Sequence, residues 1–85
     1  MGSVIVTYRI MPDGVDVNLD SIEKILREKF GFEKIERVPI AFGLVSIKAV
    51  KVIPEIEGEA DRLANEIEKI NGIKSVEIVQ MSRGL

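Results

Sequence analysis

Apolar and polar residues change rhythm several times along this chain, and each change marks an element. Between Ser3 and Pro12, Val4, Val6, Tyr8 and Ile10 alternate with Ile5, Thr7, Arg9 and Met11. Alternation with a high content of β-branched residues predicts a strand interior to a sheet. Pro12-Asp13-Gly14 is turn chemistry, after which Asn18 can accept from the first free N–H groups of a helix. That helix places Leu19, Ile22, Ile25, Leu26 and Phe30 three to four residues apart, with Asp20 and Glu23 in its first turn and Lys29 in its last, as the helix dipole favours. Gly31 ends it. Phe32 to Phe42 reads as a second strand carrying Ile35, Val38, Ile40 and Phe42 among charges, and Pro39 confines it to a sheet edge because it has no N–H to donate.

After Gly43 the alternation resumes. Val45, Ile47, Ala49 and Ile53 share one face of a third strand and Leu44, Ser46, Lys48, Val50 and Val52 the other, until Pro54 stops it. Ala60, Leu63, Ala64, Ile67 and Ile70 then form the apolar stripe of a second helix, with Glu59, Asp61, Glu66 and Glu68 toward water and Asn71-Gly72 as its stop. Ile73 to Met81 is the last strand, followed by the polar tail Ser82-Arg83-Gly84-Leu85.

The order strand, helix, strand, strand, helix, strand is a pseudo-repeat of two βα units and predicts an α+β, ferredoxin-like split βαβ fold (βαββαβ) in a single domain, 1–85. Right-handed crossovers put the first and third strands at the centre of a four-stranded antiparallel sheet, the second and fourth at its edges, and both helices on one face. The same topology sends the Phe42 hairpin and the Arg83 tail to opposite ends of the sheet. With strands of about nine residues rising ~3.3 Å each, they are separated by something on the order of 30 Å.

Composition narrows what such a domain can do. A chain of 85 residues buries roughly 60 to 65% of the surface its unfolded form exposes, too little for a deep active-site cavity. It has no cysteine and no histidine, which removes disulfides, thiol nucleophiles, imidazole acid/base chemistry and the usual zinc ligands, so neither an enzyme nor a cofactor is expected. Absence of cysteine, of a signal segment and of an apolar run long enough to span a bilayer makes the cytoplasm the expected location and a membrane an unexpected partner. Twelve basic and 14 acidic residues leave a net charge of -2, which gives no overall pull toward nucleic acid.

Two residues stand out against that background. Phe42, one of four aromatic residues, lies at the hairpin between the small residues Ala41 and Gly43. Strand-end apolar residues are mostly buried, so the pattern by itself puts core packing first and an exposed interface anchor second. Arg83 is the last charge, on a tail free to extend past the final strand, where base rates favour a merely solubilising role. The acidic residues assigned to the second helix, Glu55, Glu57, Glu59, Asp61, Glu66 and Glu68, could suggest a metal site but are spread around it as on an ordinary solvated face. The glycines stand singly at element boundaries and form no phosphate-cradling loop. An RNA-recognition domain would share this topology but needs aromatics on its central strands, where only Tyr8 is present.

The run Val38-Pro39-Ile40-Ala41-Phe42-Gly43-Leu44, followed by an alternating strand to Val52 and an acidic helix, resembles the exchange domain of elongation factor 1-beta. So do the opening Met1-Gly2 with its strand ending in Met11-Pro12, the helix after Asp16, and the ending Ser75-Val76-Glu77-Ile78 through Arg83. The likeness spans the whole chain and is to the short archaeal form, without the N-terminal extension of eukaryotic relatives. It implies guanine-nucleotide exchange: binding elongation factor 1-alpha in its GDP-bound and nucleotide-free states, expelling GDP, and letting GTP enter. It also implies two contact regions, Ile40, Ala41, Phe42 and Gly43 docking on the GTPase's second domain, and Met81, Ser82 and Arg83 reaching its magnesium site. The family's eukaryotic pattern has lysine next to last, whereas here Arg83 precedes Gly84 and Leu85. A planar, forked guanidinium suits clamping a carboxylate or phosphate better than mimicking a compact ion.

Two other classes compete. A small-molecule-sensing or dimerising ferredoxin-like regulatory domain would need a polar cluster at an interface, and none is visible in the sequence. A small phosphatase would need an arginine and an amide in one phosphate-cradling loop, and Arg9 and Asn18 are not so placed.

Overall fold

The computed structural model describes residues 2–83, arranged as β1 (Ser3–Pro12), α1 (Leu19–Glu28), β2 (Lys34–Pro39), β3 (Val45–Pro54), α2 (Glu59–Glu68) and β4 (Ile73–Arg83). The strands form one antiparallel sheet in the order β2-β3-β1-β4. This is the ferredoxin-like arrangement expected from the alternation pattern.

One set of each alternating pair builds the core. Val6, Tyr8 and Ile10 of β1 and Ile47, Ala49 and Ile53 of β3 lie buried under Ile22 and Leu26 of α1 and Ala60, Leu63, Ala64 and Ile67 of α2. Tyr8 is fully enclosed on this helix side, so its ring offers no stacking platform on the open face. Its hydroxyl donates to the Ala60 carbonyl at 2.9 Å, tying β1 to the start of α2. Burial, reinforced by Asp61 and Glu59, pushes its pKa up to about 12. Asn18 caps α1 by accepting from the Ser21 N–H. Asp20 and Glu23 also receive the Arg37 guanidinium and so clasp α1 to the edge strand β2.

Both expected limits of β2 change. Phe32 is not in β2. Gly31, with φ of 71°, turns the chain so that the Phe32 N–H bonds the Leu26 carbonyl, and the ring packs edge-on against Tyr8 with centroids 5.8 Å apart. At the other end β2 stops at Pro39, leaving Ile40 to Leu44 as a turn.

β4 continues to Arg83, so Ser82 and Arg83 are ladder residues facing Ile5 and Val4 and not a tail beyond the strand. Gly84 and Leu85 lie outside the described residues. β4 is also irregular: Thr7 pairs with Gln80 and Tyr8 with Ile78, which leaves Val79 as an extra residue in a bulge. Because side chains alternate with a period of two, one extra residue moves everything after it to the opposite face. Met81 and Arg83 therefore stand opposite Val6 and Val4 on the helix side of the sheet.

Candidate functional site

At one end of the sheet the hairpin is closed by two backbone hydrogen bonds, Ile40 N–H to the Leu44 carbonyl at 2.9 Å and Leu44 N–H to the Ala41 carbonyl at 3.2 Å. Its central residues, Phe42 and Gly43, have φ of 59° and 78°. Two successive positive φ angles are the signature of the turn that matches the right-handed twist of a hairpin, and its usual occupants are Asn, Asp and Gly. A phenylalanine there is strained by about 1 to 2 kcal/mol, since its Cβ crowds the carbonyl that follows. The ring gains no burial in exchange. Phe42 is 96% exposed, which overturns the expectation of core packing: the left-handed backbone carries the side chain away from the sheet.

Phe42 has apolar company. Ile40 is exposed beside it, and so is Val15, 68% exposed, on the loop between β1 and α1. A methyl built on Gly43 would lie 3.8 Å from a Val15 methyl carbon, so the two loops meet at this end of the molecule. Val15 was not legible as part of a site, because a single valine between Gly14 and Asp16 carries no periodicity.

The opposite end is built around Arg83. Antiparallel register places Arg83 beside Val4, and Val4 beside Ile53, at the Pro54 end of β3, while Pro39 and Val45 mark the hairpin end. Eight residue steps along β3, from Val45 to Ile53, separate these ends, about 26 Å at ~3.3 Å per step, with the turn adding to it. The Arg83 Nη2 donates to Glu55 Oε2, and the Arg83 side chain remains 77% exposed. Met81 is exposed on the same side and, with Val4, Ile53, Ile56 and Ile78, lines an open groove of about 410 Å³.

Other candidates dissolve on inspection of their surroundings. Arg9 pairs with Glu77 at 2.9 Å on the open face of the sheet, whereas Asn18 caps α1, so the two do not share a phosphate-binding loop. Glu59 and Glu66 pair with Arg62 and Lys69 along α2. Those guanidinium and ammonium partners hold both carboxyls below the ordinary range. Among the described residues, no three acidic side chains converge to hold a metal ion. None of the helices is long and apolar enough to cross a membrane.

The family profile of the EF-1 guanine nucleotide exchange domain matches residues 5–83. The chain belongs to that family. The match takes in the hairpin and Arg83 alike, so both ends are part of the EF-1 exchange domain and neither is an addition to it. Curated relatives bear this out over nearly full length. The chain is 44% identical over 85 residues to elongation factor 1-beta of Archaeoglobus fulgidus, an alignment covering 95% of this chain and 97% of the relative. It is 41% identical over 80 residues to that of Pyrococcus horikoshii, covering 88% of each, and 33% identical over 87 residues to that of Methanothermobacter thermautotrophicus, covering 98% of each. Within this EF-1 exchange domain, the features that sequence pattern missed are the approach of Val15 to the Gly43 turn, the bulge at Val79 and the contact of Arg83 with Glu55.

Proposed function

We propose that this protein is a guanine-nucleotide exchange factor that binds the GTPase elongation factor 1-alpha, promotes release of GDP and allows GTP to enter. Family membership supports the activity. The observation that supports the mode of action is the placement of an outward-held aromatic and an exposed cation at opposite ends of one rigid sheet. A catalyst of covalent chemistry gathers its groups around one reacting centre, whereas two separated contacts suit a domain that bridges two parts of a partner.

In this reading Ile40, Ala41, Phe42 and Gly43, with Val15 beside them, form the docking end. A phenylalanine ring that buries on contact, with its backbone already fixed, loses little conformational freedom on binding and makes an efficient anchor. Met81, Ser82 and Arg83 form the exchanging end. Magnesium screens the charge of a bound diphosphate and is held by anionic oxygens, and an arginine brought among those oxygens competes for them as a hydrogen-bonding fork. Nucleotide affinity then falls.

Thermodynamic reciprocity sets the scale. Whatever factor weakens GDP binding must equally strengthen binding of this domain to the nucleotide-free GTPase, so a thousandfold weakening corresponds to ~4 kcal/mol of differential affinity. Phe42 contributes docking common to all nucleotide states, and Arg83 contributes part of the differential. The test is release of fluorescent GDP from a cognate elongation factor 1-alpha with and without the domain. Acceleration at micromolar concentration is expected; an unchanged release rate refutes the activity.

A further inference from the structure

The Arg83 side chain does not stand alone at its end of the sheet. Three independent features bring a carboxylate to it. The Glu55 N–H donates to the Gly2 carbonyl at 3.1 Å, which fixes Glu55 just past the end of β3 beside the start of β1. Gly2 has no Cβ, and one built there would lie only 2.5 Å from Glu55 Oε1, so the carboxylate occupies the space that a side chain at position 2 would take. Finally, the bulge at Val79 shifts the parity of β4, which brings Arg83 to the face opposite Val4 and within reach of Glu55 Oε2. Regular alternation from Val76 and Ile78 would have sent residue 83 to the other face.

We propose that Glu55, given room by Gly2, is a positioning residue that holds the Arg83 guanidinium in place for its contact with the GTPase; this rests on the exchange reading above. The geometry of the contact favours positioning over sequestration. Only Nη2 of Arg83 engages Glu55, so most of the five N–H donors of a guanidinium stay directed elsewhere. The cation can thus keep its carboxylate while presenting the rest of its fork to phosphate or carboxylate oxygens of the partner. Held this way, the side chain enters the complex with part of its rotamer freedom already removed.

The role separates from docking because Phe42 lies at the far end of the sheet. Loss of positioning should therefore lower the maximal exchange rate at saturating exchange factor and leave the half-saturating concentration unchanged. The experiment is stopped-flow release of fluorescent GDP from elongation factor 1-alpha over a concentration series of the full chain. For Glu55→Ala the maximal rate is expected to fall about two- to fivefold, the range an exposed ion pair supports. Glu55→Gln, which keeps an acceptor oxygen, should recover part of it, and Gly2→Ala, which displaces the carboxylate without changing any charge, should move in the same direction as Glu55→Ala. Arg83→Ala is measured alongside. A slow Arg83→Ala with a fully active Glu55→Ala overturns the positioning role and leaves the exchange reading intact. A fully active Arg83→Ala overturns the role of the cation itself, and the proposal with it.

Discussion

At the hairpin end a phenylalanine is held out by backbone that cannot relax; at the other end an arginine is held by a contact that water can break. Phe42 owes its exposure to a left-handed φ within a turn closed by two hydrogen bonds, and no partner inside the molecule stabilises its ring. Arg83 owes its position to a strand bulge and a single carboxylate, and its exposed ion pair contributes on the order of 0 to 1 kcal/mol. The difference suits two tasks. A rigid apolar knob discriminates little between states of a partner and serves for attachment. A weakly tethered cation can exchange or share its counter-ion and can respond to the charge around a nucleotide. The left-handed strain at Phe42, a cost with no intramolecular return, supports the docking role proposed for this surface.

The comparison breaks first at Phe42. Phe42→Ala should weaken binding to elongation factor 1-alpha about thirtyfold or more, as loss of a central aromatic anchor does. Its melting temperature should stay close to that of the parent, because the ring touches no core residue. Titration of binding by calorimetry together with thermal melting checks both, and a large fall in melting temperature with binding retained would return Phe42 to the core. Val15→Asp should weaken the same binding by a smaller factor and leave the maximal exchange rate unaltered.

In the proposed two-contact reading the ends must keep a fixed spacing, which they do only while the sheet between them holds, and Tyr8 is at its centre. Its folded pKa is raised to about 12, against about 10 in an unfolded chain. Burial of the neutral phenol therefore contributes stability that is fully present below pH 10 and is lost as pH rises through 12. A decline on the order of 2 kcal/mol is expected across that window. Tyr8→Phe, which cannot ionise, should lack this component of the decline while costing about 1 to 2 kcal/mol at neutral pH, because the Ala60 carbonyl loses its donor. Denaturant unfolding from pH 8 to 12 separates the two, and identical slopes would show that Tyr8 does not carry the alkaline transition.

Arg83→Ala tests the other side. A fall in maximal exchange rate of about tenfold is expected, equal to ~1.4 kcal/mol, with the half-saturating concentration changed by much less than Phe42→Ala changes it. If both variants depress rate and affinity in the same proportion, the division between a docking end and an exchanging end disappears.

How far the sequence led is different at the two ends. Element order, sheet order and the buried set of β1, β3 and both helices follow from periods of two and of three to four, because residues such as Ile10, Ala49 and Leu63 answer to burial alone. The hairpin was legible as a turn, but the direction of Phe42 was not. Hydrophobicity favours burial of a phenylalanine, and the positive φ that wins at this position arises from hairpin closure between β2 and β3, a tertiary effect. The Arg83 end was less legible still. Strict alternation carried past Ile78 sends residue 83 to the wrong face, and only the pairing with β1 reveals the inserted Val79. Glu55 read as one more acid of a solvated helix, since the absence of a Cβ at Gly2 is uninformative until the two residues are brought together in space.

The finest test of the comparison asks whether the hairpin is strained for its task. Phe42→Gly and Phe42→Ala both remove the ring and should weaken docking alike, but they differ in the backbone. Alanine keeps a Cβ in left-handed conformation at about 1 to 2 kcal/mol. Glycine adopts positive φ without that crowding but loses more freedom on folding, by roughly 0.5 to 1 kcal/mol. The difference leaves Phe42→Gly more stable than Phe42→Ala by about 0.5 to 1 kcal/mol, a few degrees in melting temperature for a domain of this size. Phe42→Asn, whose side chain tolerates this region, should fall between them. Equal stability of all three would mean that the turn exacts nothing from the residue at its tip. The exposure of Phe42 would then follow from hairpin geometry alone, and strain would no longer distinguish the docking end from the arginine end.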